Sequence, residues 1–155
     1  MKHSLRARRN HGPGRVQVGR HSHRCFFVAN VRPTVLVIDD DANFAELLAA
    51  IIEGAGCRAI VALDGLFGLT LASEISPALI LCDFSMPGLD GADIMRALHE
   101  DPTMSNVPRV LMSGHGCPDL RVIPADAFIA KPINTHSLQR LLRAFTRPQP
   151  APLAA

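Results

Sequence analysis

The chain changes character at Thr34. Before it no helical or strand period can be traced; after it, short apolar runs alternate with amphipathic stretches. "TVLVID" (34–39) is a β-branched run of the kind that forms a strand buried on both faces. In the following "ANFAELLAAIIEGAG", Phe44, Leu47, Leu48, Ile51 and Ile52 fall at helical spacing, and Gly54 or Gly56 supplies the stop. "CRAIVAL" (57–63) predicts a second strand, "DGLFGLTLASE" a second helix capped by Asp64, and "PALILCD" (77–83) a third strand. Beyond the turn at Met86-Pro87-Gly88, "GADIMRALHE" (91–100) predicts a helix and "VPRVLMSG" (107–114) a fourth strand. "DAFIAKP" (126–132) predicts the fifth strand. "NTHSLQRLLRAFTR" (134–147) predicts a closing helix, with Asn134 or Thr135 as its cap and arginine at its C-terminal end. Between the last two strands a helix is due. There Pro118 and Pro124 bracket only five residues, so this fourth helix is expected to be short or frayed, a turn or two at most.

The alternation predicts an α/β fold, a doubly wound five-stranded parallel sheet with helices on both faces. Sites in such sheets lie at the carboxyl ends of the strands. Here the first strand ends in Asp39, Asp40 and Asp41, the third in Asp83, the fourth in Ser113-Gly114 and the fifth in Lys131-Pro132. Any one of these aspartates is adequately explained as a helix cap, the serine as a turn residue and the lysine as surface. Independent caps, however, need not come from separate strands with a lysine among them. Clustered carboxylates repel and raise one another's pKa, which a divalent cation relieves. An all-oxygen site with open positions suits Mg²⁺. Metal, ammonium and hydroxyl together are what a transferring phosphoryl group needs, with one carboxylate as nucleophile forming an acyl phosphate.

Length and charge sharpen the boundaries. The 155 residues suit about one domain, and no apolar run is long enough to span a membrane. Residues 1–32 hold eight basic residues and no acidic one; from Pro33 on, the other eight basic residues meet all fourteen acidic ones, a formal charge of −6. Residues 1–32 are therefore expected to be a basic, disordered extension, 33–147 the folded domain and 148–155 a disordered tail. Contact with nucleic acid or membrane through the basic arm is the alternative use of that charge. His21, His23 and Cys25 make only a weak metal grouping on such a segment. Cys25, Cys57, Cys82 and Cys117 form no CxxC pair and read as reduced thiols, which suits the cytoplasm.

"VLVIDDD", "LILCDFSMPGLDG", "VLMSG" and "FIAKP" together make the chain from 34 to 147 resemble the receiver domain of two-component response regulators, with the flavodoxin/CheY-like fold. The resemblance implies that Asp83 is the phosphoacceptor. It implies that Asp39, Asp40 (the more direct ligand), Asp83 and the backbone carbonyl of Ser85 hold Mg²⁺. Ser113 and Lys131 would contact the phosphoryl group, the Lys131–Pro132 bond would be cis, and Phe128 would be an aromatic switch turning inward as the hydroxyl moves. Ser85 and His115 match positions that tune hydrolysis. A histidine kinase or histidine phosphotransfer protein would be the phosphodonor. The stretch from Ser113 to Lys131 is shorter than the family pattern, which puts the usual output surface in doubt. With eight residues after Arg147, a single-domain regulator working by protein contact is expected, either a relay or a phosphorylation-dependent binder, with nucleic acid and membrane not engaged. Three alternatives stand beside it: a degenerate receiver that binds without phosphorylation, a DNA-contacting regulator using the basic arm, and a dehalogenase-type phosphatase with Asp39 as nucleophile and Asp41 as acid. Against the last, no Asp or Glu follows Lys131, and Asp83 would have no role.

Overall fold

Each apolar run of the sequence becomes one short strand in the computed structural model, which describes residues 31–146. The elements are β1 (Thr34–Ile38), α1 (Ala42–Gly54), β2 (Arg58–Ala62), α2 (Gly65–Ile75), β3 (Leu79–Asp83), α3 (Gly91–Glu100), β4 (Arg109–Ser113), β5 (Ala127–Ala130) and α4 (Thr135–Thr146), with a 3-10 turn at Pro102–Met104. All strand pairs are parallel, in the order β2-β1-β3-β4-β5. Period-two alternation divides the core between two faces. Leu36, Ile38, Ile80, Cys82 and Leu111 point to the face covered by α2 and α3. Val35, Val37, Leu79, Leu81, Val110 and Met112 point to the face covered by α1 and α4. The doubly wound parallel sheet expected from the sequence is the fold observed.

The helix ends follow local chemistry. Asp41 caps α1, Asp64 caps α2 and Asp90 caps α3, each through a side-chain oxygen that accepts first-turn N–H groups. Asn134, rather than Thr135, caps α4, accepting the Ser137 N–H at 2.8 Å. After α1 the chain turns through Gly56 at φ +87°, a conformation that favours glycine. The Arg32 guanidinium closes the same helix end by donating to the carbonyls of Glu53, Gly56 and Cys57. Apart from Val31 and Arg32, the basic extension lies outside the described residues, as do the His21, His23 and Cys25 grouping and the 148–155 tail.

The segment expected as a short or frayed fourth helix carries a single turn, in which the N–H groups of Val122 and Ile123 donate to the Asp119 carbonyl. Pro124 cannot extend it. Ile123, buried, covers the sheet there in place of a helix.

Candidate functional site at the carboxyl ends of the strands

β1 sends its connection outward to β2, while β3 sends its own the other way to β4, so a crevice opens between the carboxyl ends of β1 and β3. Asp39 and Asp83 stand at those two ends, both buried. Asp39 follows β1, with its N–H donating to the Ala62 carbonyl at 3.1 Å. Its carboxylate accepts the Asp41 N–H at 3.0 Å and Lys131 Nζ at 2.7 Å. Asp83 ends β3; its Oδ2 accepts the Ser85 N–H at 3.1 Å and its Oδ1 lies 2.8 Å from Lys131 Nζ. Lys131 thus bridges two carboxylates from neighbouring strands. Asp40 is exposed, and one carboxylate oxygen from each of Asp39, Asp40 and Asp83 lies within 4.8 Å of the others.

The three consecutive aspartates divide their work. Asp41 is spent as a cap, its Oδ1 accepting the N–H groups of Asn43 and Phe44 at 3.1 and 3.2 Å. Ser113, buried at the end of β4, sits one residue beyond Met112, the partner of Asp83 across the ladder. Its Oγ accepts the His115 N–H at 3.1 Å. The Lys131 N–H donates to the Ser113 carbonyl at 2.8 Å, and the Lys131–Pro132 bond is cis. Phe128 pairs with Leu111 and Ala130 with Ser113, so half-buried Phe128 and Ser113 share one face of the sheet. Ser85 reaches Asp83 through its N–H.

Burial pushes the Asp39 carboxyl above the usual carboxylate range, outweighing the hydrogen bonds from Lys131 and the Asp41 N–H; the charge on Asp83 adds to the rise. Burial pulls Lys131 down, but its bonds to Asp39 and then Asp83 more than offset this, so its net shift is upward and the ammonium is retained. Three carboxylates against one ammonium leave the cluster with surplus negative charge. Its donors are all oxygen and one of them, Asp40, is open to solvent, so the residues present fit a hard divalent cation.

Two contacts escaped sequence reasoning. A side chain at Gly91 would place its Cβ 2.5 Å from the Asp83 carbonyl oxygen and 2.7 Å from Phe84 Cα, so only glycine lets α3 abut the acceptor strand. The Phe44 ring lies over Lys131, with Nζ 4.3 Å from its centroid. Helical periodicity assigned Phe44 to the core; its place in the first turn after the acidic loop was the available signal.

The family model described as the response regulator receiver domain matches residues 35–143. The chain belongs to this family. Among curated relatives, the DNA-binding response regulator MtrA of Mycobacterium leprae is 36% identical over 121 residues, covering 76% of this chain and 52% of that protein. The phosphate regulon transcriptional regulatory protein PhoB of Pseudomonas aeruginosa is 29% identical, covering 76% and 53%. This receiver therefore spans about half the length of those curated relatives. Among solved structures, a putative response regulator from Chloroflexus aurantiacus aligns with TM-score 0.68 at 26% identity, over 75% of this chain and 99% of that one. The receiver domain of sensor histidine kinase PA1611 from Pseudomonas aeruginosa, solved with magnesium coordinated in its active site cleft, aligns with TM-score 0.68 at 22% identity, over 74% and 97%. The chain is thus a response regulator receiver domain over residues 35–143. No helix of its described residues is long and apolar enough to cross a membrane.

Proposed function

We propose that this receiver accepts a phosphoryl group on Asp83 from a histidine kinase or histidine phosphotransfer protein, in a Mg²⁺-dependent reaction in the cytoplasm. The observation that carries the reading is Lys131 Nζ held between Asp39 and Asp83 at 2.7 and 2.8 Å, at the crevice between β1 and β3. The Ser85 N–H and Lys131 fix the Asp83 carboxylate at the mouth of that crevice. One carboxylate oxygen attacks phosphorus. The new O–P bond forms as the donor's P–N bond breaks, and the electron pair returns to the imidazole nitrogen. Asp39, Asp40, Asp83 and the Ser85 carbonyl would hold Mg²⁺, which when bound supplies countercharge to the phosphoryl oxygens; the Pseudomonas receiver solved with magnesium supports that ion.

Lys131 then pairs with one phosphoryl oxygen and the Ser113 hydroxyl donates to another. Phe128 shares the Ser113 face and turns inward as that hydroxyl moves. The chain assists its own phosphorylation and dephosphorylation but turns over no separate substrate. Output runs through protein contacts. The folded part, at −6 from Pro33 on, is ill suited to nucleic acid.

Intact mass after incubation with acetyl phosphate and Mg²⁺ tests this. Wild type should gain one phosphoryl group and Asp83→Asn none. A gain in both proteins would place the acceptor elsewhere, and a gain in neither would make this a receiver that signals unmodified.

A further inference from the structure

We infer that Phe44 is a positioning residue for Lys131, holding its ammonium where the phosphoryl group must arrive. This rests on the reading of Asp83 as acceptor. Lys131 is a poor clamp by itself, because a four-carbon stem with freely rotating donors holds no single geometry. Asp39 and Asp83 take two of its three N–H donors, at 2.7 and 2.8 Å. The Phe44 ring lies against the same ammonium, with Nζ 4.3 Å from the centroid, within the distance at which a ring face attracts a cation.

The ring is itself well held. Phe44 is half-buried and packs against the core of the α1/α4 face. The N-cap bond from its own N–H to Asp41 sets the first turn of α1. Asp41 therefore acts at one remove: by starting the helix, it aims the ring.

The ring matters most during transfer. When the phosphoryl group arrives, Lys131 must exchange a carboxylate oxygen for a phosphoryl oxygen without drifting into water. A ring over Nζ keeps solvent off that side, so the ammonium charge is less screened toward the incoming group. It also restricts the swing of the stem to the arc between Asp39 and Asp83. A leucine at position 44 would fill much of the same core space but present no negative π face to the cation.

Phe44→Leu and Phe44→Tyr separate packing from ring chemistry. With acetyl phosphate and Mg²⁺, Phe44→Leu should lower the maximal phosphorylation rate about two- to thirtyfold, and Phe44→Tyr should keep most of it. Thermal midpoints of the variants show whether packing alone was disturbed. In parallel, proton NMR of wild type should show the Lys131 ε-methylene protons shifted upfield by the ring, with that shift lost in Phe44→Leu and kept in Phe44→Tyr. Leucine at the wild-type rate, tyrosine as slow as leucine, or no upfield shift in wild type would each overturn the inference. If wild type shows the upfield shift yet takes no phosphoryl group, Phe44 still positions Lys131 and it is the acceptor reading that fails.

Discussion

Two cations are set against carboxylates at opposite edges of this sheet, and their surroundings differ in sign. At the carboxyl edge, one ammonium, Lys131, faces three carboxylates and bonds to two of them. At the amino edge, Arg109 opens β4 with 7% of its surface exposed, and among the described residues its only carboxylate partner is Asp126. Asp126 is itself engaged, its Oδ2 accepting the Arg109 N–H at 2.7 Å, and Arg109 Nε stands 3.7 Å from that oxygen. Arg109 Nε and Nη1 have no hydrogen-bond partner among the described residues. The first cluster has acceptors to spare and opens to solvent through Asp40. The second has donors to spare on a buried guanidinium, and only its carboxylate, Asp126, reaches solvent. Unmet charge at an opening is available to a ligand, whereas unmet charge under the fold only costs stability.

The comparison breaks most visibly if Lys131 is removed. Lys131→Met should cost about 2–3 kcal/mol without metal, less than for a fully sealed pair because Lys131 keeps some exposure, and Mg²⁺ should restore much of it. Denaturant midpoints with and without Mg²⁺ measure this; a Mg²⁺-independent loss would mean the carboxylates do not bind the ion together. At the other edge the sign should reverse. Arg109→Met should raise stability by about 1–2 kcal/mol, because it removes two orphaned nitrogens and leaves the backbone bond to Asp126 intact. A clear destabilisation in the same titration would mean that the guanidinium has a partner, such as buried water.

The smallest effect sharpens the first cluster from within. The folded Asp39 carboxyl titrates above its ordinary range because it is buried, so its protonated form favours folding. That contribution is complete below the ordinary carboxylate range and is lost as pH rises through the raised value, leaving ionised Asp39 a net cost at neutral pH. Asp39→Asn, which mimics the protonated form and can still accept from Lys131, should therefore gain a small amount of stability at pH 7. It should gain nothing at pH 3, and it should no longer be stabilised by Mg²⁺. Thermal melts across pH decide this; a gain that persists at low pH would point to packing instead.

Much of this arrangement was legible in the sequence, for identifiable reasons. Short β-branched runs give away strands buried on both faces, and Pro118 and Pro124 announced the missing helix. The strand-end polar residues pointed to one edge because parallel topology places all carboxyl ends together. What stayed hidden depended on phase or distance. Nothing in "DDD" tells which aspartate turns inward. The structure gives Asp39 to the crevice and Asp41 to the helix, because β1 stops at Ile38 and the chain must turn before Ala42. Arg109 lay inside a run read as a strand, and its partner is 17 positions away, beyond the reach of any local pattern. Phe44 was read correctly as apolar, but periodicity cannot show that a ring packed on the core also lies under a cation.

Because no helix covers the crossover from β4 to β5, the crevice is assembled from parts that keep different time. Asp83 ends β3, the central strand, and Asp39 directly follows β1 beside it, where backbone amides meet solvent only when the whole sheet opens. Ser113 leads into a segment held by a single turn, where local openings cost little. A phosphoryl group shared between Asp83 and Ser113 would tie the slowest segment to one of the fastest. The persistence of the loop's closed form would then be set by the lifetime of one covalent bond.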